Sequence, residues 1–200
     1  MSRHFILGMS KVVVGAILLA GLGASQGKVK RRGATRRFVS QKYRFSMAVP
    51  AGWGVSTLLD TPVFFFARRS SDRFIQDNIP KGGAVITTTA QDIRGGARKS
   101  ATTPEAWALI EARAVASKTP KVERFEVSEE SGVSRAVVCS SDEATFSPEQ
   151  RPQHSVAIYW EFEQKLFAAH LNYNAGDPDG PRLEKIFFQA VRSIRPIDKH

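Results

Sequence analysis

Cysteine is nearly absent from this chain, since Cys139 is the only one among 200 residues. No intramolecular disulfide can form, so packing alone has to stabilise the folded domain. Long apolar runs are also scarce. The uncharged run over residues 12–24 has 13 residues, which makes a helix of roughly 20 Å against a hydrocarbon core of about 30 Å. A membrane-spanning helix is therefore the weaker interpretation of that run.

Residues 1–25 have the pattern of a secretory signal peptide. Arg3 and Lys11 accompany the apolar run, and Gly23, Ala24 and Ser25 provide small residues at a cleavage site. We expect the mature protein to be exported to the periplasm or the medium. Positive charge just after an apolar run opposes its translocation. An uncleaved N-terminal anchor that keeps the protein on the membrane therefore stays open as an alternative.

The formal net charge of +10 describes the N-terminal region more than the domain. From Phe38 onward there are 21 basic and 19 acidic residues, a net charge of +2. The composition predicts a basic, disordered linker over residues 26–39. Its cations are a candidate site for weak contact with anionic lipid or polymer. They lack the interleaved aromatic residues that stack on bases, so no specific nucleic-acid binding is expected. The candidate site comprises Lys28, Lys30, Arg31, Arg32, Arg36 and Arg37.

Residues 40–197 are predicted to form one domain, because about 175 residues remain after the leader and this length suits a single core. Apolar residues alternate over 43–49 and 156–162, residues 84–90 are β-branched and regular, and a turn at 163–165 leads from 156–162 into the run 166–173. These four runs are predicted to be strands. Shorter strands are expected at 53–58, 122–128 and 133–140. The run at 63–67 is apolar throughout and predicts a central strand that is covered on both faces.

Two helices are predicted between these strands. Thr103 is the expected N-cap of the first, with Pro104 at its first position and Trp107, Ile110 and Ala114 on its buried side. Residues 183–194 carry an apolar stripe at helical spacing, which predicts a closing helix packed on the sheet. The fold class is therefore α+β, with one antiparallel sheet flanked by helices.

Two histidines are candidates for site chemistry, His154 and His170, which lie on the two strands predicted to pair at the end of the domain. A zinc site would need two further ligands, so surface histidines on a sheet are the expected role. An enzymatic interpretation would require one of them to meet a carboxylate. Asp177 and Asp179 with Asn174 suggest calcium ligands, but helix capping explains both acids.

Other candidate patterns are weaker. Gly132-Val133-Ser134-Arg135-Ala136 lacks the final glycine of a nucleophile elbow. Cys139 lies in an apolar run typical of a buried strand thiol. The aromatic residues Phe64, Phe65, Phe66 and Trp160 are expected in the core rather than around a ligand. No catalytic residue, cofactor or metal site is predicted.

Two segments resemble the PsbP-like domains. Residues 43–53, YRFSMAVPAGW, are similar to their opening aromatic strand, which ends in Pro-x-Gly-Trp, and residues 191–196, VRSIRP, are similar to their closing segment. The resemblance covers residues 40–197. It implies an α/β/α sandwich around an antiparallel sheet, in a family of exported, mostly non-enzymatic extrinsic proteins. It assigns no functional residue to this chain.

The resulting expectation is an exported, non-enzymatic binding or accessory protein whose partner is another protein or an envelope component. The alternative is an N-terminally anchored surface protein whose basic segment binds anionic lipid or polymer. The sequence does not specify the oligomeric state.

Overall fold

The computed structural model describes residues 28–32, 35–56, 60–67, 79–92, 102–115, 122–127, 133, 135–143 and 151–197. Within these ranges there are eleven strands and two helices. They are β1 Lys28–Arg32, β2 Thr35–Ser40, β3 Phe45–Ala48, β4 Gly54–Ser56, β5 Val63–Phe66, β6 Ala84–Asp92, α1 Pro104–Val115, β7 Val122–Arg124, β8 Arg135–Glu143, β9 Gln153–Phe162, β10 Lys165–Asn174, α2 Gly180–Arg192 and β11 Arg195–Pro196.

Seven strands form a large antiparallel sheet in the order β4-β5-β6-β10-β9-β8-β7. Its centre is the hairpin of β9 and β10, which correspond to the strands predicted at 156–162 and 166–173. Glu163 and Gln164 form the turn with φ of 46° and 60°, as a two-residue hairpin loop requires. The predicted strands 156–162 and 166–173 are confirmed and extend by a few residues at their ends.

A second sheet of four strands, β1-β2-β3-β11, corrects two expectations. The sequence predicted a single sheet, and it predicted disorder over residues 26–39. Instead β1 pairs with β2 from Lys28 opposite Val39 to Arg32 opposite Thr35, and β2 pairs in turn with β3. Despite the high charge of this segment, its adjacent apolar residues Phe38 and Val39 are buried, with 0% and 6% exposure.

The core has two layers, one on each face of the large sheet. Between this sheet, the small sheet and α2 lies the main cluster, which includes Trp160, Phe167 and Phe187. On the opposite face, here called the α1 face, helix α1 packs Trp107 and Ala108 against Tyr159 and neighbouring residues. The chain is therefore an α+β sandwich, which confirms the predicted fold class.

The helices begin and pack as their sequences predict. Ala106 N donates to Thr103 Oγ1 at 3.2 Å, so Thr103 does cap α1. In α2 the stripe of Leu183, Phe187, Ala190 and Val191 is buried. Asp179 is the N-cap residue of α2 but makes no capping bond with its side chain. Asp177 Oδ1 instead accepts from Asp179 N at 2.9 Å, which forms a local Asx turn.

The predicted signal peptide lies outside the described residues. Within the described ranges, neither helix is long and apolar enough to cross a membrane.

Candidate functional site

On the α1 face, the carboxylate of Glu111 accepts hydrogen bonds from two aromatic side chains and contacts a histidine. Trp107 Nε1 donates to Glu111 Oε1 at 2.7 Å, and Tyr159 OH donates to Glu111 Oε2 at 2.9 Å. His170 Nε2 lies 3.3 Å from the same Oε2. The side chains of His170 and Glu111 are 15% and 20% exposed. A largely buried carboxylate is thus surrounded by donors, which compensates its loss of water.

The secondary structure brings these four residues together. Trp107 and Glu111 are one helical turn apart on α1, so they share one side of the helix. Tyr159 on β9 is opposite Ala168, and His170 on β10 is opposite Ala157. Tyr159 and His170 are therefore diagonal neighbours on one sheet face, and their rings meet edge-to-face at 5.7 Å.

The Glu111 contact determines which nitrogen of His170 is available. A carboxylate only accepts, so the contact with Glu111 is favourable when Nε2 carries a hydrogen. In the neutral imidazole, Nδ1 then holds a lone pair and acts as an acceptor. Among the described residues, nothing forms a hydrogen bond with Nδ1.

Three buried polar atoms on this same face have no hydrogen-bond partner. They are Gln91 Nε2 on β6 and the Oδ1 atoms of Asn172 and Asn174 on β10. Only one other such atom, Thr88 Oγ1, occurs in the described part of the chain, and strand alternation places it on the opposite face. Buried polar groups are nearly always paired. These three atoms are concentrated on the α1 face of β6 and β10, which is called the β6–β10 strip below. The hydrogen bonding of this strip is therefore incomplete within the described residues.

Phe65, next to this strip, was expected to be covered and is not. It is 40% exposed, the one large hydrophobic side chain so exposed among the described residues. Strand β5 is therefore covered on both faces at Val63 and Phe64, as expected, and the prediction is wrong only at its Phe65 end. Gly54 is directly opposite Phe65 on β4. A Cβ at Gly54 would collide with the Phe65 ring, so glycine allows the ring to lie over the neighbouring backbone.

A second histidine, tyrosine and glutamate group occupies the other face of the same hairpin. Tyr173 is directly opposite His154, and Tyr173 OH donates to Glu184 Oε1 of α2 at 2.7 Å. His154 Nε2 lies 3.8 Å from that oxygen. Each predicted histidine thus meets a glutamate from the helix that covers its face. Both histidines were expected to be surface residues without a partner. Each instead contacts a carboxylate.

The six predicted basic residues fall into two groups. Arg37 Nη2 donates to Ser193 O at 2.6 Å and to Ser46 O at 3.2 Å, and Arg37 Nε donates to Ser46 Oγ at 3.2 Å. Arg36 Nη1 donates to the carbonyl of Trp53 at 3.4 Å. These two arginines bind within the fold. Lys28, Lys30, Arg31 and Arg32 lie on β1, at the edge of the small sheet, and Lys28 is exposed.

The remaining candidate residues form no common site within the described part of the chain. Cys139 lies on β8 opposite Ala157 and Val122, and Ser134 is outside the described residues. Within the described ranges, no group of three or more His, Cys, Asp or Glu residues could hold a metal ion. Trp160 is 1% exposed and belongs to the core, as predicted.

Glu111 and Tyr159 are the site residues that sequence reasoning missed. The pair of Trp107 and Glu111 at i and i+4 is a local signal for an indole-to-carboxylate contact. Nothing local connects either residue to Tyr159, which is 48 positions away from Glu111.

No protein-family model matches the chain, and no curated protein is significantly similar to it. Solved structures do resemble it. A mutant of the protein Mog1 matches with a TM-score of 0.52 and 11% identity, over 84% of this chain and 98% of Mog1. A Bacteroides thetaiotaomicron protein matches with a TM-score of 0.47 and 12% identity, over 82% of this chain. This chain spans only 48% of that protein's length.

Cyanobacterial PsbP (CyanoP) from Synechocystis also matches, with a TM-score of 0.43 and 13% identity, over 90% of this chain and 99% of CyanoP. At such identities the likeness concerns the fold alone. The match to Mog1 supports a shared fold, and the resemblance of residues 43–53 and 191–196 to PsbP-like domains stays a prediction.

Proposed function

We propose that this chain is an exported, non-catalytic binding or accessory protein that contacts its partner through the strip of the α1 face formed by β5, β6 and β10. The observation that carries the proposal is the concentration of partnerless buried polar atoms at Gln91, Asn172 and Asn174. Each such atom lowers stability by about 1–3 kcal/mol. A surface that retains three of them is best explained by a partner that completes their hydrogen bonds.

Phe65 supports a partner rather than solvent alone on this strip. It stands opposite Val85, which is in turn opposite Asn172, so an exposed aromatic ring and an incomplete amide share one row of the sheet. Binding sites combine apolar surface with a few directed polar groups. Helix α1 contacts β7, β8 and β9. In this row Ile79 covers Val85, and Phe65 stays exposed at its end.

The arrangement around His170 favours binding over catalysis. A histidine paired with a glutamate is part of many hydrolytic sites, and the hydroxyl across the strand pair from His170 belongs to Thr87. A nucleophile and its base need to be within hydrogen-bond reach of each other. The Thr87 side chain forms no hydrogen bond with His170 or with any other described residue. The pair therefore serves to orient the imidazole.

Site-specific photo-cross-linking tests the proposal. A photoreactive phenylalanine analogue replaces Phe65 in the full chain, expressed in its native host. Replacement of Lys185, which is exposed on α2, serves as the matched control. We expect a discrete adduct from position 65 that is absent from position 185 and is lost when Asn172→Leu is added. Equal adduct patterns at both positions would overturn the proposal.

Export is the part of the proposal that rests on residues 1–25. The intact mass of the native protein should correspond to an N-terminus between Ser25 and Gly27. A chain that still begins at Met1 or Ser2 would instead support the anchored alternative, and it would remain in the membrane pellet.

A second candidate function is favoured by β1, which places Lys28, Lys30, Arg31 and Arg32 on one edge strand of the small sheet. We propose weak, nonspecific contact of this strand with anionic lipid or polymer. The screening length falls from about 10 Å at 0.1 M salt to about 3 Å at 1 M. Liposome binding should therefore fall steeply over that range. Neutralising the four residues should abolish it, whereas neutralising Arg182 and Lys185 on α2 should not.

A further inference from the structure

We propose that β1 binds an extended, acidic segment of a partner protein, which adds to the small sheet as a further strand. This inference rests on the second candidate function, because it names the kind of anionic polymer that the strand recognises and how that polymer is held. The small sheet has the order β1-β2-β3-β11, and among the described strands only β2 pairs with β1. A strand that adds to such an edge is held by main-chain hydrogen bonds.

Strand β1 is the longest edge strand in the described part of the chain. It has five residues, whereas β4 and β7, at the edges of the large sheet, have three each. At the other edge of the small sheet, β11 has two residues, and one of them is Pro196, which has no backbone N–H. An added strand therefore finds more backbone partners on β1 than on the other described edges.

The pairing register shows which backbone groups of β1 face away from β2. Val49 N donates to Arg36 O at 2.9 Å, so the backbone groups of Arg36 face β3. Arg31 is opposite Arg36 and forms a non-hydrogen-bonded pair with it, so the N–H and C=O of Arg31 face outward. The same applies to Val29, which precedes Arg31 by two positions. These two residues together offer two donors and two acceptors to an added strand.

The charge of the small sheet selects an acidic strand. Strand β1 has four lysines and arginines, β2 has two and β11 has one, and none of the four strands contains aspartate or glutamate. Opposite charges across a strand pair are favourable, and like charges are unfavourable. A second copy of β1 would place cations opposite cations. Charge complementarity therefore favours an acidic segment over self-association.

The test measures the binding of a fluorescent acidic peptide to the chain expressed in full. The probe is an acetylated hexapeptide of alternating glutamate and valine. Its matched control has the same sequence with every backbone amide N-methylated, so it keeps the carboxylates but has no backbone N–H donor. At a salt concentration of about 0.1 M, we expect the parent peptide to bind about tenfold more tightly or better. Equal affinities would overturn the inference.

Amide proton signals show where the peptide lies. On binding, the NMR signals of the Val29 and Arg31 amides should move downfield, because these outward N–H groups gain acceptors. The amides of Lys30 and Arg32 face β2, so their signals should move less. Shifts of equal size at all four amides, or no shift at Val29 and Arg31, would overturn the inference.

Val29→Pro removes one outward N–H and keeps every cation of β1. Proline is tolerated on an edge strand where its nitrogen faces away from the sheet, so the pairing with β2 should survive. The variant should bind the parent peptide about threefold more weakly or worse. Val29→Ala, which keeps the N–H, should bind it as the unchanged chain does. Equal peptide affinities of the two variants would overturn the inference.

Thermal melts of Val29→Pro and Val29→Ala show whether the proline variant keeps β1 in place. If Val29→Pro melts at a clearly lower temperature, the comparison of the two peptides on the unchanged chain decides the question alone.

The two proposals for β1 can fail separately. Liposome binding together with equal affinities for the two peptides would leave nonspecific contact standing and overturn strand addition. Preferential binding of the parent peptide without liposome binding would support strand addition and remove the lipid contact. A dimer of the protein alone that Val29→Pro dissociates would overturn the inference in favour of a second copy.

Discussion

Trp160 stacks on Phe167 across the two central strands, with ring centroids 5.3 Å apart and planes inclined by 10°. Phe167 also meets Phe45 of the small sheet edge-to-face at 5.4 Å. One aromatic side chain therefore contacts both sheets. The stability of the sandwich should depend strongly on this group, because offset and edge-to-face pairs add to the energy of area burial.

Trp160→Ala should lower the free energy of unfolding by about 3–5 kcal/mol, since it leaves a large cavity beneath α2. Phe65→Ala is the matched control, an aromatic truncation at an exposed position, and its effect should be clearly smaller. Urea unfolding followed by circular dichroism measures both. Equal effects would mean that the stack contributes little beyond exposed aromatic surface.

A chain that begins at Phe38 should be much less stable than one that begins at Gly27. The truncation removes β1, the first half of β2 and the hydrogen bonds of Arg37 to Ser46 and Ser193. A loss of about 3 kcal/mol or more is expected from the charged hydrogen bonds and strand pairing, which lowers Tm by roughly 6–12 °C. Identical thermal melts would restore the disordered linker that the composition predicted.

Arg37→Met should lower the free energy of unfolding by about 1.5–3 kcal/mol, because the Ser193 carbonyl loses a charged donor at the end of α2. Arg37→Lys should recover only part of this, since an ammonium lacks the guanidinium fork. Lys28→Met, an exposed change on the adjacent strand, should stay within about 0.5 kcal/mol of the parent. Equal stabilities of the Arg37 and Lys28 variants in urea would contradict the internal role of Arg37.

Glu111→Leu should be destabilising by about 2–3 kcal/mol, because the indole N–H of Trp107 and the hydroxyl of Tyr159 both lose their acceptor. Tyr159→Phe alone should have an effect of about 0.5–1.5 kcal/mol. The double variant should lose less unfolding free energy than the sum of the two single losses, because the hydroxyl is then removed together with its acceptor. Strict additivity in chemical unfolding would indicate that the two groups do not interact.

Gly54→Ala should be destabilising because the new Cβ collides with the Phe65 ring. The same change in a Phe65→Ala background should be nearly neutral, since the colliding ring is gone. Thermal unfolding of the four proteins in this cycle measures the coupling between the two positions. A persistent loss in the double variant would place the constraint in the β4 backbone instead of the ring.

The sequence predicted those helices and strands whose apolar residues form a clear local pattern. Alternation in β9 and β10 and the apolar stripe of α2 were sufficient to place the central hairpin and its covering helix. Strands β1 and β2 were missed because Arg36 and Arg37 were expected to be exposed to solvent, whereas in the fold they donate hydrogen bonds to carbonyl groups. Their acceptors, Trp53 and Ser193, lie 17 and 156 residues away, so no local pattern could identify them.

Of the candidate site, the sequence identified only the histidines. His170 was assigned to the correct strand, but its glutamate lies on a helix 59 positions earlier in the chain. The distinction between a surface histidine and an oriented one depends on that tertiary contact. The partnerless amide of Asn172 is equally invisible in sequence, since its meaning comes from burial and from the lack of a neighbouring donor.

The small sheet joins the two ends of the described chain, because β11 at Arg195–Pro196 pairs with β3 at Phe45–Ser46. The large sheet, by contrast, is built from one continuous stretch between Gly54 and Asn174. During synthesis or passage through a translocation channel, the large sheet and strands β1 to β3 of the small sheet can pair before residues 195–196 emerge, and only β11 is added afterwards. Closure of the small sheet is then the final step of folding, and a chain that is stalled or clipped before residue 195 would present an unfinished sheet edge to quality-control proteases.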